Sequence, residues 1–436
     1  MPERVTPAQS PPLAVIAPYF LLAPIGLAIA GYLSLSASRE VFVAINTHRT
    51  VAMTHTLILG WASLFLFGAS YQLASAVLGG AGLRQRLAQA QLLIHVAGYI
   101  TFVTAILRWE VWLMAAGGSL VVCSFLLFVV NVAGVLWRTP RRSHPRTYML
   151  VGLVFLVVGI AVGLAFVGNF EYRWFARSMG TLAAHAHLGL AGWMAITLMG
   201  VSYQLVPMFN IVQKVKPRAP LTVLWLTAGA TAVFALVMPF DPPRAARFAL
   251  ALGLAAGPTL CLGDQLRLLF GRSRRRLDFH GQATFVSLGF LALTLVLGLA
   301  AAWGGALHRS DAPASLALAY GAAGVVGWIG TALIGNSYKI LPFLIWFHRY
   351  RPRMGQAPVP LVKDLVPEWW AQANLALHSV AALVIVAAAL TAESGLLHAG
   401  GSILIASASA HLGGMAFMFL PKRSSRASHS GIRASV

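Results

Sequence analysis

The sequence predicts an all-α, polytopic membrane protein with twelve transmembrane helices in a quasi-threefold arrangement of four-helix units. Three observations support this prediction: the composition, the apolar segments and a motif that occurs three times. Of the 436 residues, 58% are hydrophobic and 10% are charged, whereas a soluble domain carries about 25% charged residues. This composition excludes an ordinary soluble enzyme, a disordered chain and a nucleic-acid-binding domain, so the lipid bilayer is the expected surrounding.

A helix needs about 20 mostly apolar residues to cross a bilayer. Twelve segments meet or approach this length, and we expect the whole chain, 1–436, to form one transmembrane domain with short polar tails. The segments are 14–36, 51–77, 87–107, 111–136, 148–168, 180–209, 220–240, 248–266, 281–303, 314–346, 370–391 and 396–420.

The positive charges predict the orientation of these segments. Twelve spans put both termini and all even-numbered loops on one face, and 23 of the 32 Lys and Arg residues fall there, against 8 on the other face. Because Lys and Arg accumulate in cytoplasmic loops, we expect both termini in the cytoplasm and the chain in the cell inner (plasma) membrane. This orientation accounts for the net charge of +21 without a nucleic-acid partner.

One motif recurs in the second, sixth and tenth segments. It reads G-W-x6-G-x-S-Y-[QK]-[LI] and begins at Gly60, Gly192 and Gly327, with spacings of 132 and 135 residues. Small residues at such spacings also let helices approach closely in lipid. The recurrence of a Trp and a Tyr in register favours a unit of four helices that is used three times.

Histidines stand at matched places in two of the three copies. His55 and His187 precede the Gly-Trp of the motif by five residues, and Ala322 occupies this place in the third copy. The two imidazoles are expected at one depth near the outer face, where facing imidazoles on neighbouring helices would supply both axial ligands of an iron porphyrin. An interhelical hydrogen bond is the alternative for any single buried histidine, but ionisable groups within a membrane favour a function.

His185 forms an H-x-H pattern with His187. Residues two apart on a helix point about 200° apart, so this pattern presents one imidazole to each of two sites, such as a haem and a second haem or metal centre. His398, near the outer face, is a further candidate for the outer cluster. Six further polar side chains are expected toward the inner half of the bundle: His95, His378, His411, Tyr71, Tyr203 and Tyr338. They suggest an inner polar site for proton entry or for a quinone head group. The alternative is that they only form packing hydrogen bonds between helices.

With these residues the chain resembles the haem-copper oxidase subunit I superfamily, which includes nitric oxide reductase-like and NnrS-like haem membrane proteins. The resemblance covers the twelve-helix layout, the histidine early in the second segment and the string HAHLGLAGW. It implies that His55 and His187 are the axial ligands of a low-spin haem b, and that His185 faces a second centre.

The chain also departs from this family. The H-x-H lies in the sixth segment rather than the tenth, no two histidines are consecutive, and the seventh segment has no histidine. The three-imidazole copper site of the family is therefore not expected, and nothing in the sequence supports a second haem or copper beyond His185.

The sequence thus favours an integral-membrane haem protein that handles electrons or a diatomic gas, nitric oxide or dioxygen, as a haem-dependent oxidoreductase with unassigned catalytic residues. Its electrons would come from a quinol or a partner cytochrome, because the chain has no C-x-x-C-H motif for covalent haem. Two alternatives remain open: a twelve-helix permease for a metal, haem or small solute, and a non-catalytic assembly or nitric-oxide-tolerance factor.

Overall fold

The computed structural model describes residues 10–139, 142–175, 178–212, 218–273, 276–306 and 313–422. In these ranges the chain is helical without β-strands, and twelve helices are long and apolar enough to cross a membrane. The predicted fold class is confirmed, while most of the two polar tails lies outside the described residues. We number the helices α1 (Leu13–Leu35), α2 (His48–Val77), α3 (Gln85–Arg108), α4 (Val111–Trp137), α5 (His144–Tyr172), α6 (Met179–Asn210), α7 (Pro220–Phe240), α8 (Arg244–Phe270), α9 (Phe279–Gly304), α10 (Ala314–Arg349), α11 (Glu368–Thr391) and α12 (Ser394–Met418).

Both ends of the described chain lie at the same end of the bundle. Ser10 Oγ is 3.3 Å from His348 Nε2 near the end of α10, and the backbone N–H of Lys422 donates to the Tyr350 hydroxyl at 3.1 Å. We call this the terminal face, and the other the opposite face. An even number of crossings requires this arrangement.

The helices form a closed ring of three four-helix units. Within the units, α3 packs on α4, α7 on α8 and α11 on α12; between them, α4 packs on α5, α8 on α9 and α12 on α1. The second helix of each unit, α2, α6 or α10, faces the centre, where segments of α2 and α6 both contact α10. The motif thus lies on the three central helices.

The second position of glycine in the motif requires this residue for the same structural reason in all three units. A Cβ on Gly200 would lie 2.2 Å from Cβ of Tyr148 on α5, and one on Gly335 would lie 2.6 Å from Cβ of Ala283 on α9. Gly68 meets α1 in the same way. Each central helix therefore packs closely on the first helix of its own unit, which explains why glycine recurs there.

α2 and α6 begin in matching ways at the opposite face. The Thr47 hydroxyl accepts from the backbone N–H of Thr50 at 3.2 Å, and the Ser178 hydroxyl accepts from that of Thr181 at 3.0 Å. Such caps satisfy N–H groups that the first turn of a helix leaves free. Because the two caps fix where these helices start, they also set the matching depths of His55 and His187.

Candidate functional site

The backbone changes from α-helix to π-helix immediately after the histidine position in every copy of the motif. The α-helical parts end at His55, His187 and Ala322, and the π-helical segments that follow are Thr56–Ser63, Leu188–Ala195 and Ala323–Ile329. π-helical turns occur frequently at functional sites. Their presence in all three units shows that the quasi-threefold repeat extends to the backbone around the histidines.

The imidazoles of His55 and His187 are oriented by the same local contact. Nδ1 of His55 lies 2.8 Å from the carbonyl oxygen of Val51, and Nδ1 of His187 lies 2.8 Å from that of Ala183. Because a carbonyl only accepts, Nδ1 carries the proton in each ring and Nε2 keeps its lone pair. Histidine ligands of metals are commonly fixed by such a bond from the other ring nitrogen.

Phenylalanines at equivalent places pack on these two rings. The centroid of the His55 ring is 5.3 Å from that of Phe102 on α3, and the centroid of the His187 ring is 4.5 Å from that of Phe234 on α7. The two phenylalanines are 132 residues apart, as are the two histidines. Each imidazole therefore has an equivalent place in its unit.

The side chain facing each imidazole comes from the next central helix. His185 on α6 interacts electrostatically with His55 on α2, whereas the Tyr320 hydroxyl on α10 lies 3.3 Å from Nε2 of His187. His185 and Tyr320 share one place in the repeat, two residues before the histidine position, and Met53 occupies it in the first copy. The α2–α6 space thus holds two imidazoles, and the α6–α10 space holds an imidazole and a phenol.

The sequence led us to expect His187 as the partner of His55, and that pairing stays a prediction; the structure adds an electrostatic interaction between His55 and His185. The two histidines of the H-x-H pattern point to different helices: the His185 ring packs at 5.8 Å on Phe166 of α5, and the His187 ring stacks at 6.0 Å on Tyr320 of α10. Sequence reasoning also missed Tyr320. The signal that would have found it is the repeat itself, which aligns this tyrosine with His185.

These three imidazoles are only partly buried. His55, His185 and His187 are each surrounded by protein, yet all three are partly exposed. Nδ1 of His185 has no hydrogen-bond partner among the described residues. Gly163 on α5 makes room for this ring, because a Cβ there would lie 2.8 Å from Cε1 of His185.

His398 lies elsewhere. Its Nε2 is 2.7 Å from the carbonyl oxygen of Ala37, and this contact ties α12 to the loop that follows α1. Within the described part of the chain, no three His, Cys, Asp or Glu side chains are grouped so that they could hold a metal ion.

The histidines deeper in the bundle support the π-helical backbone. Nε2 of His95 on α3 lies 2.9 Å from the carbonyl oxygen of Leu59, and Nε2 of His378 on α11 lies 2.8 Å from that of Val326. Both carbonyls belong to the fourth residue after the histidine position of their copy. A buried carbonyl needs a partner where the helical hydrogen-bond pattern changes, so these contacts fit the packing alternative.

Two of the three motif tyrosines and Lys339 are anchored to neighbouring helices. The Tyr203 hydroxyl donates to Asp264 at 3.3 Å, and the Tyr338 hydroxyl accepts from Asn374 at 3.2 Å. Lys339 forms an ion pair with Asp278 at 2.8 Å. These bonds connect α6 to α8, and connect α10 to α11 and to Asp278 immediately before α9.

Comparison with known proteins adds no family to this description. No family model and no curated protein sequence matches the chain. The function must therefore be inferred from the geometry of the paired side chains.

Proposed function

We propose that this chain is an integral-membrane haem-binding protein that handles electrons or a diatomic gas, nitric oxide or dioxygen. One observation carries the proposal: His55 on α2 and His185 on α6 lie near enough to interact electrostatically, and the Val51 carbonyl holds the Nδ1 proton of His55 so that its Nε2 lone pair is available. A pair of imidazoles buried among apolar helices is costly without a function. Neutral imidazoles on facing helices are the donors that a haem iron takes as axial ligands.

The donor chemistry of these residues fits a haem. The Val51 carbonyl fixes the proton on Nδ1 of His55 and leaves the Nε2 lone pair available. Nδ1 of His185 has no hydrogen-bond partner among the described residues. A bound haem would supply one-electron redox chemistry and could bind a diatomic gas.

The chain's own residues position this site. The Val51 carbonyl orients the His55 ring and Phe102 packs on it, while Gly163 and Phe166 surround His185. The α6–α10 space offers only one imidazole, His187, and a phenol that can donate a hydrogen bond, Tyr320. We assign the second centre that the H-x-H pattern predicts to this space. His187 would then belong to the second centre and His185 to the paired site, which reverses the roles expected from the sequence.

The excess of Lys and Arg on the terminal face assigns this face to the cytoplasm of the inner (plasma) membrane. The paired imidazoles then lie toward the outer side, because His55 and His187 are within nine residues of the outer ends of α2 and α6. A quinol in the bilayer or a cytochrome docked on the outer face would supply the electrons.

A reduced-minus-oxidised absorption spectrum of the purified full-length protein tests the proposal. We expect sharp haem b bands, which disappear in His55→Ala and in His185→Ala and persist in the control variant His398→Ala. Each variant is first shown to be monodisperse in detergent. A wild-type protein expressed with ample haem supply that shows no bands would overturn the proposal.

The same spectra decide between the two possible pairs. We expect His187→Ala to keep the bands of the paired site and to lose any band that carbon monoxide shifts. If His187→Ala removes the main bands and His185→Ala keeps them, haem binding stands but the pairing of His55 with His185 is refuted.

A further inference from the structure

A second internal feature lies closer to the terminal face, between α6, α8, α9 and α10. It is a cavity of about 50 Å³, lined in part by Ser202, Gln265, His280, Ser287 and Asn336. Leu198, on its wall, is 11 residues along α6 from His187, which corresponds to roughly 16 Å at 1.5 Å per residue. The cavity is therefore separate from the outer imidazoles.

Two buried side chains on the wall of this cavity have unsatisfied polar atoms. Gln265 is 1% exposed, and its side-chain amide interacts with the thiol of Cys261 but bonds to no nitrogen or oxygen atom of the described residues. His280 is 2% exposed, and its Nδ1 also has no partner there. Buried polar groups are normally hydrogen-bonded to protein or to ordered water, so these atoms indicate an occupant.

The free atoms define the hydrogen bonds that the occupant must make. Nε2 of His280 lies 3.3 Å from Oδ1 of Asn336, and the amide nitrogen of Asn336 donates to the Ala332 carbonyl at 2.9 Å. Oδ1 of Asn336 therefore accepts, Nε2 of His280 donates, and Nδ1 of His280 keeps a lone pair. The amide of Gln265 adds two N–H donors and one acceptor, so the occupant must both donate and accept.

Charge and size restrict the occupant further. The charged groups that interact with His280 are Asp278 and Lys339, which form an ion pair at 2.8 Å and so offset each other. A neutral molecule is favoured over an ion. A water molecule needs at least about 10–15 Å³ of cavity space in this measure, so a cavity of about 50 Å³ has room for a small number of waters.

We propose that this cavity is a binding site for a small number of water molecules, held by Gln265 and by Nδ1 of His280. Water supplies two O–H donors and two lone pairs, which matches the lone pairs of His280 and Gln265 and the N–H groups of the amide. The site is independent of haem binding. It hydrates the interior between α6 and α10 on the side of the bundle away from His187.

Radiolytic hydroxyl-radical labelling of the full-length protein in detergent tests this site, because radicals formed from a bound water oxidise side chains beside it even when bulk solvent does not reach them. Met199 and Cys261 line the cavity and are 1% and 2% exposed. Met194 on the same helix and Met114 on α4 are equally buried, at 0% and 1%, and lie off the cavity wall, so they are matched controls.

We expect Met199 and Cys261 to be oxidised at least five-fold faster than Met194 and Met114, and Gln265→Leu to reduce the rate at Met199 to that of the controls. Equal rates for Met199 and Met194 in the wild-type protein would overturn the proposal without any variant. A fast rate at Met199 that is unchanged in Gln265→Leu would also overturn it, as would a stoichiometric metal ion found at this site by elemental analysis and lost in that variant.

Discussion

The hydroxyl of Tyr320 lies 3.3 Å from Nε2 of His187, at the place in the repeat where His185 meets His55. Two of the three spaces between central helices thus have the same architecture and differ in one facing side chain. The third has Ala322 and Met53 at these places and lacks both the imidazole and its partner. The three spaces therefore share one backbone arrangement and differ in the side chains that line them.

The contact between Tyr320 and His187 is expected to contribute to stability. Because Nδ1 of His187 donates to Ala183, Nε2 accepts from the phenol, and Tyr320→Phe leaves this lone pair without a donor. We expect the free energy of unfolding in detergent to fall by about 1 kcal/mol. A double-mutant cycle with His187→Phe should give a coupling energy of similar size, and Tyr172→Phe, at an exposed tyrosine, should change nothing. If the effects of the two substitutions on the unfolding free energy were additive, the hydrogen bond between Tyr320 and His187 would be refuted.

Close packing of the motif makes its second glycine intolerant of a methyl group. In Gly200→Ala the new Cβ would lie 2.2 Å from Cβ of Tyr148, so α5 and α6 must separate. We expect a loss of about 2–3 kcal/mol in unfolding free energy, as for overpacked cores. Gly229→Ala, on a helix surface with nothing within 4 Å, is the control and should be neutral or slightly stabilising. A stable Gly200→Ala protein would show that the helices are farther apart.

The bond from His95 to the π-helical carbonyl of Leu59 is a second structural contribution. His95→Leu removes the donor at 2.9 Å and also the acceptor of the Ser124 hydroxyl at 3.0 Å. Because both partners stay buried, we expect a loss of about 2 kcal/mol, measured by thermal or denaturant unfolding. The exposed His144→Ala should leave stability unchanged. Unfolding of His95→Leu at the wild-type midpoint would indicate that Leu59 finds another donor.

Acid should weaken the ion pair next to the water cavity. Burial alone would raise the pKa of Asp278, but hydrogen bonds from Lys339 and from the Gly281 N–H outweigh it and hold the pKa below 3.8. A carboxyl group whose pKa is lowered by folding stabilises the folded state at pH values above its unfolded-state pKa. This contribution is lost as the pH falls through its folded-state pKa.

We therefore expect the difference in Tm between wild type and Asp278→Asn to be constant from pH 7 to about pH 5 and to shrink below about pH 4. Thermal unfolding between pH 3 and pH 7 measures it. Asp241→Asn removes an exposed ion pair, in which the Asp241 side chain is 73% exposed, and should show little difference at any pH. A difference that stays constant down to pH 3 would contradict the lowered pKa.

Much of the architecture could be predicted from the sequence, because the thickness of the bilayer sets a minimum length for every apolar segment. The motif at Gly60, Gly192 and Gly327 also predicted three units of four helices. The partner of His55 could not be predicted in this way. Equal depth made His187 the expected partner, whereas the partner depends on how each helix is rotated about its own axis and on which helix comes next in the ring.

What the sequence determined by itself is therefore the number of helices, their repeat and the depth of the histidines, since these follow from length, hydropathy and spacing along one chain. The tertiary structure decided that the Tyr320 hydroxyl contacts His187 and that His185 comes within electrostatic range of His55. It did so because side chains on a helix point in directions about 100° apart per residue, and only the packing of α2, α6 and α10 determines which of those directions meet.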